Sequence, residues 1–126
     1  MGFNLNTVIA QSIDQFRINS DVTNGIAGIK LSNFNGSGLV EIPRETNRLP
    51  VRVLGSNVFR GKGLFTITIH DNIVTIENDA FRDNMLTSLT IPDNVTSIGR
   101  DAFKNNPTIG TYTRPNANST QWTKHK

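Results

Sequence analysis

Residues 64–84, "LFTITIHDNIVTIENDAFRDN", and residues 86–106, "LTSLTIPDNVTSIGRDAFKNN", are one pattern written twice. Placing 64–85 over 86–107 pairs Leu64 with Leu86, Thr68 with Thr90, Ile69 with Ile91, Asp71 with Asp93 and Asn72 with Asn94. It also pairs Ile76 with Ile98, Asp79 with Asp101, Ala80 with Ala102, Phe81 with Phe103 and Asn84 with Asn106, ten identities in 22 columns. A fixed period of this length describes a stack of like coils. None of them buries enough apolar surface alone, so each is stable only against its neighbours, as in a solenoid.

One interval earlier the second half of the pattern persists, with Val51, Leu54, Val58, Phe59 and Arg60 in the columns of Ile73, Ile76, Ala80, Phe81 and Arg82. The first half is displaced by about five residues: Val40 and Ile42 take the columns of Ile67 and Ile69 only if "RETNR" forms a longer turn. One interval later, "TIGTYTRP" keeps strand-like residues and loses the leucines. Three recognisable units and a degraded fourth result.

Within one unit, alternation of Leu89 and Ile91 suits a short strand with one buried face and with Ser88 and Thr90 on the other. Pro92, Asp93 and Asn94 stop the strand and turn the chain, because proline lacks a donor and Asp and Asn support tight turns. Val95 and Ile98 return to the core, and a half-turn at Asp101, Ala102 and Phe103 closes the coil. Phe59, Phe81 and Phe103 then form a spine down the back of the stack.

These residues resemble the BspA-type leucine-rich repeat. "FNGSGLVEIPRETNRLPVRVLGSNVF", residues 34–59, is similar to that family's opening unit, and the resemblance covers residues 34–107. His70 stands where the family has Pro, Glu77 where it has Gly, and Phe65 where it has Thr. The resemblance implies an α+β to mostly β solenoid, a right-handed leucine-rich-repeat coil of about 22-residue units, with three repeats between caps. As one repeat domain, 1–126 divides into an N-terminal cap (1–33), the repeats (34–107), and the degraded repeat with a C-terminal cap (108–126). In the first cap, Val8, Ile9, Ile13 and Phe16 share one face of a short helix over residues 7–16, followed by a hairpin of "FRIN" and "IAGIKL". In the last, Trp122 shields the final Phe of the spine.

Composition narrows the function. Apolar residues make up 36% of the 126, and no apolar run approaches the roughly 18 residues a membrane span needs. The start lacks the basic leader and cleavage site of a secretory signal, and Asn6 stands where myristoylation wants Ser or Thr. Zero cysteines remove disulfides, thiolate metal sites and cysteine nucleophiles together. His70 and His125 have no paired carboxylates at ligand spacing, so no metal or cofactor is expected. No Gly-x-Ser-x-Gly elbow occurs, and "RGKG" at 60–63 departs from a phosphate loop at Ser56 and Gly63. No catalytic residue is assigned, and the chain is not expected to be an enzyme. Asn-x-Ser/Thr triplets at Asn35, Asn94 and Asn118 read as coincidence in an Asn-rich chain.

Two surfaces remain as candidates. The net charge is +3, and Arg44, Arg48, Arg52, Arg60 and Lys62 concentrate in the first repeat against Glu41 and Glu45. Such a patch binds phosphate backbones, but no aromatics interleave with these arginines, and a solvated repeat edge is the preferred reading. Asp79 and Asp101, three residues before Arg82 and Lys104, permit local pairing worth about 0–1 kcal/mol. The other surface is the strand face, with Leu39, Glu41 and Pro43, then Thr66, Thr68 and His70, then Ser88, Thr90 and Pro92, then Tyr112 and Arg114 in its outward columns. Exposed Thr and Ser also simply favour strands, which leaves an inert sheet face as the alternative. The partner-binding candidates are Glu41, Thr66, Thr68, His70, Ser88, Thr90, Tyr112 and Arg114. The resemblance implies a non-catalytic protein-interaction or adhesion module, secreted or at a cell surface. The alternative is a small intracellular binding or inhibitor protein acting on a host or nucleic-acid-associated target, which suits Met1 as a native start and the basic pI of 9.7.

Overall fold

The computed structural model describes residues 15–23, 26–107, 109, 112 and 113. The expected helix at 7–16 falls outside these except for its last two positions, where Phe16 already opens a strand. Trp122 and Arg114 lie outside the described residues.

Strand β1 (Phe16–Thr23) and β2 (Ile26–Phe34) form an antiparallel hairpin, longer than the two short segments expected. Next, β3 (Glu45–Thr46) folds back on β4 (Leu49–Leu54) through Asn47 and Arg48, with φ of 53° and 65°. Two consecutive left-handed residues are what a two-residue hairpin turn demands, and Asn tolerates that region better than most. This hairpin absorbs the extra residues of "RETNR" that displace the first repeat from its period.

The sheet then grows in parallel, coil upon coil. Its order is β1-β2-β4, then β5 (Thr75–Ile76) and β7 (Ser97–Ile98). Val53 pairs with Thr75 and Thr75 with Ser97, while Leu54 pairs with Ile76 and Ile76 with Ile98. The sequence period is thus the ladder register. The continuous sheet runs through the Thr-Ile and Ser-Ile segments, in the half of each coil where the sequence suggested only a return to the core. On the opposite half, where strands were expected, β6 (Leu89–Thr90) pairs with β8 (Tyr112–Thr113), and residues 66–70 form no strand.

Backbone bonds between coils follow the same period. Val74 N–H donates to Arg52 O at 2.8 Å and Thr96 N–H to Val74 O at 2.9 Å, while Glu77 N–H reaches Leu54 O and Gly99 N–H reaches Ile76 O. At the half-turn the direction reverses, with Phe59 N–H donating to Ala80 O at 2.8 Å and Phe81 N–H to Ala102 O at 2.7 Å. Left-handed residues shape this half-turn at two fixed columns. Asn57, Asp79 and Asp101 occupy one, and Gly61, Asp83 and Asn105 the other, all with φ between 57° and 65°. Gly, Asn and Asp visit this region at the lowest cost, which explains why those columns hold no other residue.

Inside the coils, Leu64, Ile73, Ile76, Leu86, Ile91 and Val95 are fully buried. Phe59 and Phe81 stack with ring centroids 5.1 Å apart, and Phe81 and Phe103 with centroids 5.3 Å apart and planes 9° from parallel. The column continues beyond the three expected rings, since Phe34 sits 5.4 Å from Phe59 and Phe16 packs on both. The hairpin therefore joins the spine through Phe16 and Phe34 and the sheet through β2.

Buried asparagines close each coil. Asn84 Oδ1 accepts from the amides of Lys62 and Leu64, both at 3.0 Å, while its Nδ2 donates to the carbonyls of Phe59 and Phe81. Asn106 repeats the arrangement, accepting from Leu86 N–H and donating to Phe81 O and Phe103 O. One side chain thereby satisfies turn groups on two adjacent coils, which buried backbone requires. Replacing Asn84 with Ala orphans buried amides and carbonyls at a cost of about 1–3 kcal/mol for each group left unpaired. A urea titration of N84A should show a clearly lowered midpoint, and one of T87A, at an exposed position, should leave it in place.

Candidate functional site

On the half of the coils opposite the main sheet, a groove of about 600 Å³ runs between the first and second units. Residues 39–42 and Arg44 form one wall, and Thr66, Ile67, Thr68 and His70 form the other. The two walls are tied at both ends: Gly38 N–H donates to Lys62 O at 2.7 Å, and His70 Nε2 meets Pro43 O at 2.9 Å. Between these ties the first wall has five residue steps, from 38 to 43, and the second has eight, from 62 to 70. Extended chains rise about 3.3 Å per residue, so segments of such unequal length cannot stay in ladder register. Among the described residues no hydrogen bond joins the backbones of 39–42 and 66–69, and those backbones have no other partner.

Side chains sort by face along these walls. Val40, Ile42, Ile67 and Ile69 pack inward with the core, while Glu41, Thr66 and Thr68 are exposed at the groove. Leu39 is 83% exposed and Phe65 63%, and Met85, 51% exposed, lies on the third coil where Met85 N–H bonds Leu64 O. In sequence, Leu39 opens the first wall, Phe65 precedes the second, and Met85 precedes the corresponding segment of the third coil. Leu39 falls in an outward column of the sequence, whereas the repeat spacing gives Phe65 and Met85 no binding role. The available signal was their departure from the repeat, since Thr87 and Pro107 occupy the aligned columns.

His70 differs from expectation. It is buried rather than outward, with Nε2–H donating to Pro43 O and Nδ1 accepting from Asn72 N–H at 3.2 Å. Both bonds together require the neutral ring protonated on Nε2. Burial holds its pKa below the ordinary 6.5, and the bond to Pro43 offsets part of that shift. The ring fixes the far end of the groove.

The remaining candidates are dispersed. Ser88 and Thr90 are exposed on the next coil, with Thr90 paired to Thr113 in the small sheet, and Tyr112 is opposite Leu89 there. Of the basic residues, Arg44, Arg48 and Arg60 are exposed and Lys62 is half-buried. Arg52 is buried in β4, where its stem lies so close over Gly28 that an added Cβ would come within 2.5 Å of Arg52 Cδ. Arg44 bonds Asp71 at 2.6 Å and Arg60 bonds Asp83 at 3.2 Å. Arg44 thereby holds the Asp71 carboxyl below the usual carboxylate range, and Asn105, with Arg60, does the same for Asp83. Arg48 sits exposed in the β3–β4 turn, and Lys62 contributes its amide to Asn84. Asp79 pairs with Arg82 at 3.2 Å as its spacing suggested, and Asp101 reaches the same Arg82 at 3.8 Å rather than Lys104. Among the described residues no helix is long and apolar enough to cross a membrane.

Comparison with known proteins follows the same lines. The profile of the BspA type leucine rich repeat region, in six copies, matches residues 10–124. No curated protein matches the sequence. A solved leucine-rich repeat protein of T. pallidum is similar at 17% identity and a TM-score of 0.48, over 79% of this chain and 68% of that one.

The environment of His70 predicts a pH dependence. The unfolded imidazole takes up a proton as pH falls through 6.5, whereas the folded ring resists until lower pH. The unfolded state binds more protons in that window, so the stability from His70 is complete above 6.5 and is lost as pH falls through the folded pKa. The urea midpoint should therefore fall between about pH 7.5 and pH 5, and fall less in H70Q, whose amide has no such titration. Equal declines in both proteins would contradict the assignment.

Proposed function

The chain belongs to the BspA-type leucine-rich repeat family, and we propose that it is a non-catalytic module that binds a protein partner over the face carrying the groove. The observation that supports this most strongly is the exposure of Leu39 and Phe65 beside the groove. Covering one large apolar side chain is worth about 1.5–3 kcal/mol. Leaving two of them in water beside a concave surface forgoes that stabilisation, and a docking partner recovers it. Glu41, Thr66 and Thr68 supply polar contacts within the groove, and Ser88 and Thr90 on the next coil extend the contact, with Tyr112 and Arg114 as further partner-binding candidates from the sequence. His70 acts from inside, by holding the two coils together.

A nucleic-acid partner has less support, because Arg44 and Arg60 are neutralised by carboxylates and Arg52 is buried. The family's association with adhesion favours a partner met outside the cell, with the chain acting as part of a surface assembly.

The test replaces Leu39 and Phe65 with Ser together. The doubly substituted chain should capture its partner from a preparation of extracellular and cell-surface proteins at least about tenfold less well, as expected when central apolar anchors are truncated. Its thermal midpoint should stay within about 2 °C of the native value, since both side chains are exposed. Capture of the same proteins at the native level would contradict the assignment of this face.

A further inference from the structure

The groove is tied at both ends, which limits what it admits. The bond from Gly38 N–H to Lys62 O joins its walls at one end, and the contact of His70 Nε2 with Pro43 O joins them at the other. The third coil is bonded to the second in turn, with Met85 N–H reaching Leu64 O and Thr87 N–H reaching Phe65 O. Neither wall is a sheet edge, so a ligand strand has no place to pair. A single side chain, by contrast, enters from solvent between the two ties.

The lining favours one kind of side chain. Val40, Ile42 and Ile67 line the groove and also pack with the core, so its depth is apolar. With Val40 and Ile42 in the columns of Ile67 and Ile69, Leu39 shares a column with Thr66 and Ser88, and Glu41 shares one with Thr68 and Thr90. These two outward columns hold small hydroxyl residues on the second and third coils. On the first coil both change together, to a large apolar residue and an acid. Neither change serves the packing of the coil, since both side chains are exposed.

Charge narrows the choice further. Among the lining groups that carry or can take charge, Arg44 is joined to Asp71 at 2.6 Å, and His70 is neutral, held between Pro43 O and Asn72 N–H. The Glu41 carboxylate has no ion-pair or hydrogen-bond partner among the described residues. The uncompensated charge in the lining is therefore negative, within a chain whose formal net charge is +3. Both of its oxygens are open to the bidentate pairing that a planar guanidinium makes and an ammonium does not. Arginine also carries an apolar stem that covers apolar lining while its charged head stays at the rim.

Resting on the protein-binding role above, we propose that the partner inserts an arginine side chain into this groove, its guanidinium on Glu41 and its stem against Leu39 and Ile67. Apolar residues flanking that arginine cover Leu39 and Phe65. The recognised feature is thus a basic residue set among apolar ones, in which the apolar contacts give most of the affinity and Glu41 gives the selectivity.

The probes are two blocked tripeptides, Leu-Arg-Leu and its counterpart with citrulline, which keeps the shape of arginine and lacks its charge. Each is titrated to about 10 mM into the isotope-labelled chain, and the amide shifts of Leu39, Glu41, Thr66 and Thr68 are followed. The arginine peptide should move these amides with an affinity of about 1 mM. The citrulline peptide should bind at least about threefold more weakly, and so should the arginine peptide against E41Q. Equal binding of the two tripeptides, or undiminished binding to E41Q, overturns the arginine assignment. So does the absence of shifts with the arginine peptide at the highest concentration. Such a failure leaves the protein-binding role standing if the Leu39 and Phe65 double variant still loses capture of its partner. Capture that survives in that double variant removes the role itself, and this proposal with it.

Discussion

Hydrogen bonds between equivalent backbone groups on successive coils are the interaction on which everything else depends. They form only if each coil has the same length as the next, so the period written in residues 64–106 is a geometric requirement. Once it is met, equal residues fall on equal positions. Phenylalanines stack, Asn84 and Asn106 each bridge two coils, and left-handed positions recur at Asp79 and Asp101. Each column is then under one constraint, which is why buried columns keep their apolar character, as at Leu64 and Leu86 or Ile73 and Val95, and left-handed ones hold only Gly, Asn or Asp.

The same rule explains the groove. Between Gly38 and Pro43 the first coil is shorter than the second is between Lys62 and His70, and the bonds that would close the face cannot form. On the far side, the β3–β4 hairpin takes up the remaining residues and restores register for Val53 and Leu54. The molecule is thus closed along one sheet and open along one stretch of the other half. The exposed Leu39 and Phe65 lie at that break.

Much of the fold was legible because it is periodic. The stacking of Phe59, Phe81 and Phe103 follows from their spacing, and the hairpin at the start from its alternation. What the spacing could not reveal is contact outside the period. Phe16 and Phe34 join the spine through a hairpin, and His70 meets Pro43 across a coil that is out of register, so neither pairing lies 22 residues apart. The main sheet was also misplaced. Leucine and isoleucine alternate more clearly at Leu89 and Ile91 than at Ser97 and Ile98, yet the ladder shared by successive coils runs through the latter. The exposure of Glu41, Thr66 and Thr68 was readable from their outward columns. Burial of Arg52 and pairing of Arg44 with Asp71 were not, because both depend on which coils become neighbours.

Amide hydrogen exchange measures the central claim directly, that one half of the stack is closed by backbone bonds and the other is open at 66–69. In one sample near neutral pH, the amides of Val74, Glu77 and Phe81, each bonded to a neighbouring coil, should exchange at least about a hundredfold more slowly than those of residues 66–69. Comparable protection at 66–69 would mean that these backbones are paired, and would contradict the account of the groove.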